Sequence, residues 1–397
     1  MLSSIGTVAT HRTAAGAIAL ALAICGGART TPAQTTNIYA GTGKNALAPA
    51  AARARPLVYV PNSRSATVTI IDPATYRVVR TFPTGALPQH VVPSYDLGTL
   101  WVANNSGNSL TKIDPATGQE GARVPVDDPY NMYFTPDGRY AMVIAERRRR
   151  IDFRDAHDMT LVQSLPVACK GVDHLEFTAD GRYAIATCEF SGQLVKVDLA
   201  SRAVAGYLNL GTRVSNPLKK VARIFRRRQG SHGTSPMPQD IRSSPDGKVF
   251  YVADMKDGGI FLVDPIAFVS LGFIKTGTGA HGLYPSRDGT SLYVTNRGWS
   301  TTGGGRHGPG SISVLDFSTR QIVANWPVPG GGSPDMGNVT ADGSELWVSG
   351  RYDDEVYVFA TDTGAMTHRI PVGREPHGLC VWPQPGRYSL GHTGNMR

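Results

Sequence analysis

The residues of this 397-residue chain best suited to chemistry are histidines. Four of its ten, His90, His174, His281 and His377, open short apolar segments: Gln89-His90-Val91, Asp173-His174-Leu175, Ala280-His281-Gly282 and Pro376-His377-Gly378. Imidazole transfers protons near neutral pH and is the commonest metal ligand. With a carboxylate nearby, such a set suits zinc, copper or iron. It equally suits an anionic ligand or a haem. The four lie roughly a hundred residues apart, so no local metal-binding motif joins them. Only a fold that returns repeatedly to one place can make them a single site.

The chain does return. A strand-like phrase starts at Leu57, Leu100, Ala141, Ala184, Phe250, Leu292 and Leu346, as in Leu57-Val58-Tyr59-Val60 and Leu292-Tyr293-Val294-Thr295-Asn296. The spacing is about 42 residues, lengthened twice, to 66 and 54. Before each phrase an apolar run ends in a turn such as Thr135-Pro136-Asp137-Gly138 or Ser244-Pro245-Asp246-Gly247. After it comes an alternating segment such as Val68-Thr69-Ile70-Ile71-Asp72, a Pro-Ala-Thr type turn, and a fourth segment such as Arg77-Val78-Val79-Arg80. Alternation punctuated by Gly, Asp and Pro signals antiparallel strands. Four strands per 40–45-residue unit make a propeller blade. Composition agrees, since 45 Gly and 27 Pro serve many short elements better than long helices. The fold class is therefore all-β, a seven-bladed β-propeller of four-stranded antiparallel blades. The first unit lacks an innermost strand and the end of the chain, Pro376 to Val381, supplies an orphan one. Pairing the two closes the ring and removes exposed edges.

The blades align the histidines. At the start of the innermost strand one slot holds His90, Asn131, His174, Asp240, His281, Met336 and His377, with Asp335 one residue earlier. In a propeller this slot lines the mouth of the central channel. The metal-ligand candidates are His90, His174, His281 and His377; Asn131, Asp240, Asp335, Met336, Arg297 and Arg351 join them as ligand-binding candidates. A histidine there can also simply bond neighbouring strand ends. Glu146, Glu189 and Asp254 are further carboxylates expected near the mouth.

Strand parity puts both insertions, about 211–236 and 298–310, on that same face. In the first, Asn216-Pro217 reads as a helix start. Leu218, Val221, Ala222 and Phe225 form an apolar stripe beside Lys219, Lys220, Arg223 and Arg226 to Arg228, a basic amphipathic helix. The glycine-rich second insertion reads as a flexible linker or a binding loop. With the run Arg147 to Arg150, Arg297 and Arg351, the face is expected to be electropositive. The net charge is +9, which favours an anionic small molecule or an acidic protein or surface. Nucleic acid is not expected, because no recognised nucleic-acid motif is present.

Residues 1–33 resemble a secretory signal, with Arg12 before the apolar run Ala14 to Ala28 and a cleavage site at Thr31-Pro32-Ala33. Ile24 before Cys25 is bulkier than lipoprotein processing tolerates, so cleavage is expected rather than lipid anchoring. Residues 34–55 read as a disordered lead-in, 56–388 as the propeller and 389–397 as a C-terminal tail. An exported monomer (periplasm, cell surface or extracellular) with no transmembrane segment in the mature chain follows. In such a compartment Cys169 and Cys188, adjacent on the top face, are expected to form a disulfide; a thiolate–imidazole metal site with His174 is the rival. No nucleophile elbow, phosphate loop or His-Glu-x-x-His is present.

Leu292-Tyr293-Val294-Thr295-Asn296 with the Pro-Asp-Gly turns resembles the YVTN-type β-propeller repeat over residues 57–385. The resemblance implies the fold and kinship with secreted and surface-layer, lactonase-type and d1-haem-domain propellers. Two functions are expected: with no recognised catalytic motif, a binding or scaffold protein using the histidine-lined mouth; or, from the histidine ring with Asp240 and Glu189, a metal-dependent lyase, lactonase or d1-haem-related redox protein using the same mouth. The d1 type implies one axial histidine, and four candidates depart from that pattern.

Overall fold

The computed structural model describes residues 37–211, 235–392 and 394–397. The signal read at 1–33 and the basic helix read between Asn216 and Arg228 lie outside the described residues. Seven four-stranded antiparallel sheets follow one another around the ring. Six have their innermost strands at Pro88–Pro93, Pro129–Phe134, Val172–Phe177, Pro238–Ser243, Ala280–Pro285 and Pro334–Val339. These open blades two to seven in chain order. Blade one is composite: Cys380–Trp382 pairs with Leu57–Asn62, with Val58 opposite Val381. Helix among the described residues is limited to two short 3-10 turns, Ala51–Arg53 and Glu189–Ser191.

Burial follows strand position. Innermost strands are buried along most or all of their length, whereas outermost strands alternate, as in Ala203–Asn209. The apolar core lies between blades. Tyr133, Met142 and Phe153 of blade three pack on Leu175, Phe177 and Val195 of blade four. Such interleaving fixes the angle between blades and hence the geometry at the axis.

Six innermost strands share a further irregularity. Their pairing slips near the start: between Pro88 and His90, Pro129 and Asn131, Val172 and Leu175, Pro238 and Ile241, Ala280 and Leu283, and Pro334 and Gly337. A bulge takes a residue out of the ladder and re-aims its side chain. Six of the seven slot residues lie in or beside these bulges; the seventh, His377, precedes the strand Cys380–Trp382.

Three expectations are corrected. Residues 37–55 are not a disordered lead-in. Ile38 N–H donates to the Pro245 carbonyl and Asn45 N–H to that of Ala341, both at 2.8 Å, and Ala51 is fully buried. The turn face offers apolar cover to a few isolated side chains that composition alone does not single out. The C-terminal tail read at 389–397 does not stand apart from the propeller: its described residues, 389–392 and 394–397, enter the channel, as described below. The loop from Gly298 to Gly310 is not a plain linker. Tyr352 Oη donates to the Thr302 carbonyl at 2.5 Å, His307 N–H to Asp353 Oδ1 at 2.6 Å, and Gly310 N–H to the Gly332 carbonyl at 3.0 Å.

Candidate functional site

The blades bring His90, His174, His281 and His377 together near the axis. Ring centroids are 4.7 Å apart for His90–His377, 5.4 Å for His90–His174, 6.0 Å for His281–His377 and 6.4 Å for His174–His281. None of the four is more than 2% exposed. The cluster is thus buried from solvent.

A fifth imidazole, from outside the blades, joins them. Residues 389–392 run along the innermost strand of blade three: Phe134 N–H donates to the Leu390 carbonyl and His392 N–H to that of Met132, both at 3.0 Å. The chain then turns back, with Ser389 opposite Met396. Gly391, at φ +85°, makes this approach possible, because a Cβ there would strike the Met132 carbonyl and the Tyr133 Cα. His392 ends 4.8 Å from the His174 ring and 5.1 Å from that of His90, fully buried. Sequence reading missed it because residues 389–397 carry no blade pattern. The one hint is the spacing of Gly391 and Gly394, which suits a tight reversal.

His90, His174 and His392 each offer a donor atom within 4.8 Å of the others. Both ring nitrogens of His90 and Nε2 of His174 are buried without a hydrogen-bond partner. Nδ1 of His90 lies against Gly378, where any Cβ would collide with it, leaving Nε2 to face a ligand. Asn131 Nδ2 lies 3.2 Å from His174 Nδ1 and 2.9 Å from His392 Nδ1, while its Oδ1 accepts the Met132 N–H. Burial, and then repulsion from His392, holds His90 and His174 well below the usual histidine range. Burial and then Arg242 do the same for His392. All three are neutral at physiological pH, the form that ligates metal.

His281, His377 and Asp335 form a second group, also within 4.8 Å. Its electrostatics differ. Arg297 Nε lies 3.1 Å from Asp335 Oδ1 and Arg351 Nη1 lies 3.4 Å from Oδ2. His281 Nδ1 approaches Oδ1 at 3.1 Å and His377 Nε2 approaches Oδ2 at 3.5 Å, the former without hydrogen-bond alignment. Two guanidinium groups already flank this carboxylate. A cation there meets two flanking guanidinium groups in a low-dielectric setting, whereas the guanidinium nearest His392, that of Arg242, is offset by Asp240. Two further slot residues, Asp240 and Met336, are hydrogen-bonded within the ring. Asp240 Oδ1 accepts the Ile241 N–H, and its Oδ2 accepts the Leu283 N–H. Met336 Sδ accepts from Tyr284 Oη at 3.1 Å.

Carboxyl groups crowd above this core. Burial, then repulsion from Glu189, pushes Asp173 well up; burial raises Glu189. Burial and then Glu189 push Glu146 up to about 7. Asp254, also raised by burial, accepts the Met237 and Asp257 N–H groups and serves the local turn. The arginine run is less free than expected. Arg147 pairs with Asp128, Arg148 with Asp127, and Arg150 with Asp127 and Asp152.

Cys169 and Cys188 are joined by a disulfide, with Cα atoms 5.9 Å apart, so neither is a thiolate ligand. Cys380 is a buried free thiol. Among the described residues no helix is long and apolar enough to cross a membrane.

Comparison with solved structures finds the same fold at low identity. A putative 6-phosphogluconolactonase from Bacteroides uniformis is 17% identical with a TM-score of 0.61, covering 82% of this chain and 98% of that one. Dihydro-heme d1 dehydrogenase NirN is 18% identical with a TM-score of 0.57, covering 82% and 74%. Kuenenia stuttgartiensis hydrazine synthase is 16% identical with a TM-score of 0.57, covering 72% and 87%. These likenesses establish architecture, which hosts many chemistries. No curated protein matches the chain. The model of the YNCE-like β-propeller family matches residues 15–217 and 232–386, and this chain belongs to that family.

Proposed function

We propose that this protein is an exported binding protein that holds a transition-metal ion, zinc, copper or iron, among the channel histidines. The observation that carries the reading is the group His90, His174 and His392: three buried neutral imidazoles with donor atoms within 4.8 Å, among them ring nitrogens lacking any partner. Leaving a buried polar atom unsatisfied costs about 1–3 kcal/mol. Such orphans in a native fold call for a bound ion or an ordered water. The disulfide supports export, since such bonds persist in oxidising compartments.

A d1-type haem does not fit. An axial histidine needs an open face for the macrocycle, and each imidazole of the cluster is 2% exposed or less. The paired arginine run also removes much of the basic surface on which an acidic partner would rely.

Elemental analysis of protein purified without chelator tests the reading, together with the visible spectrum of a cobalt-loaded sample. One ion per chain, lost in His90→Ala and His174→Ala, is the expected result. Folded protein that takes up no zinc, copper, iron or cobalt overturns it.

A further inference from the structure

Two of the three imidazoles in this group sit on rigid blades. The third belongs to no blade. His392 is carried by a segment, residues 388–392 and 394–397, that enters from the turn face and bonds along the innermost strand of blade three. We infer that residues 388–392 and 394–397 are a ligand-bearing plug: His392 completes the metal site from outside the blades, and a bound ion further stabilises the docked plug. The inference rests on the metal reading above and adds to it the identity of the third ligand and the means of its control.

The plug is attached at its base independently of His392. Tyr388 stacks on Tyr95 at 4.9 Å between ring centroids, and Arg397 Nη2 pairs with Glu176 Oε1 at 2.8 Å. Ser389 Oγ donates to the Pro93 carbonyl at 3.1 Å. At the inner end, Asn131 spans His174 Nδ1 and His392 Nδ1, so the residue on the plug and the one on blade four share a single orienting group. Asp240 Oδ1 lies 3.5 Å from His392 Nε2. An ion bound by His90, His174 and His392 favours the docked plug over any undocked form, and stabilises it by the ratio of its affinities for the two. The same coupling makes the plug a determinant of affinity, because an undocked plug leaves only two ligands.

The experiment is a zinc titration of the full chain and of His392→Ala, with hydrogen exchange followed at the amides of Leu390, Gly391 and His392. The base contacts keep the plug docked in the variant. Expected are one zinc per wild-type chain, affinity weakened at least about 100-fold in His392→Ala, and zinc-dependent slowing of exchange at the three amides in the wild type only. The weakening is set against the 10–100-fold typical of losing a group that merely orients a ligand. His392→Cys restores a donor and is expected to recover binding, which a purely structural role for His392 would not produce. Unchanged zinc affinity in His392→Ala, with binding lost in His90→Ala, overturns the plug inference and leaves the metal site on the blades. Absence of zinc, copper or iron binding in the wild type overturns both.

Discussion

Asn131 and His392 meet inside the channel, 2.9 Å from amide nitrogen to Nδ1, although one lies on blade three and the other on a segment outside the blades. The same amide nitrogen lies 3.2 Å from Nδ1 of His174. A group that touches two imidazoles decides which nitrogen of each carries the proton. As oriented here the amide donates to both Nδ1 atoms and puts the hydrogens on Nε2. Turned over, its oxygen would accept from both Nδ1–H groups and free both Nε2 lone pairs for an ion, the usual arrangement behind a metal-bound histidine, at the loss of the hydrogen bond that Oδ1 accepts from Met132 N–H.

Asn131→Leu removes either arrangement while filling the space. We expect zinc affinity to fall about 10–100-fold, the usual cost of losing an orienting partner, with little change in the far-ultraviolet spectrum. Asn131→Asp keeps an acceptor for both rings and is expected to hold affinity near or above the wild-type value. Calorimetric titration separates the two; equal affinity in wild type and Asn131→Leu means that the amide does not orient the ligands.

The blades and the ring were legible because they repeat. Leu-Tyr-Val phrases every 42 residues or so fix strand order, and strand order places His90, His174, His281 and His377 in one slot. For His392 the only local mark is the pair Gly391 and Gly394, which suits a reversal but says nothing of where it docks. It reaches the site through backbone pairing with Met132 and Phe134, a relation set by the width of the channel rather than by any pattern in residues 389–397. The same holds for Tyr39 and Ala51, which become ordered only because the far ends of the blades offer them cover. Charge pairing was not legible for a similar reason: Arg147 and Arg148 form a bare run in sequence, while their partners Asp128 and Asp127 stand on the preceding connection.

Arg242 is 1% exposed and lies 3.4 Å from the buried Asp240. Removing one member of such a pair strands the other charge in the interior, at a cost of about 3–5 kcal/mol. Arg242→Met is therefore expected to lower the urea midpoint sharply. Arg242→Met with Asp240→Asn leaves no stranded charge and is expected to recover most of the loss. A double variant as unstable as the single would mean that packing around Arg242, not its charge, holds this part of the channel.

The disulfide closes a loop between residues 19 apart in sequence, in the segment that leads into and includes His174. A loop of this size stabilises the fold by about 3 kcal/mol through the unfolded state. Cys169→Ala with Cys188→Ala is expected to show that loss in urea unfolding, with zinc affinity changed less than by His174→Ala. Equal losses of zinc affinity would make the bridge part of the site's positioning rather than of general stability.

Glu146 gives the protein a stability that falls as pH rises. Burial lifts its carboxyl from an ordinary 4.5 to about 7, with Glu189 and Asp128 adding to the rise and Arg147 and Arg351 opposing it. Between those two values the folded chain holds a proton that the unfolded chain has released. Stability therefore declines from pH 4.5 to 7 and levels off above, whereas a carboxylate in a salt bridge would give the opposite slope. The shift corresponds to at most about 3 kcal/mol. Asp173 and Glu189, raised in the same direction, add to the wild-type slope, so the informative quantity is the difference between wild type and Glu146→Gln. The variant is expected to match wild type near pH 4.5 and to exceed it at pH 8. Urea unfolding at both pH values decides the matter: a variant that is no more stable than wild type at pH 8 means that Glu146 is ionised in the fold and held by Arg147 and Arg351.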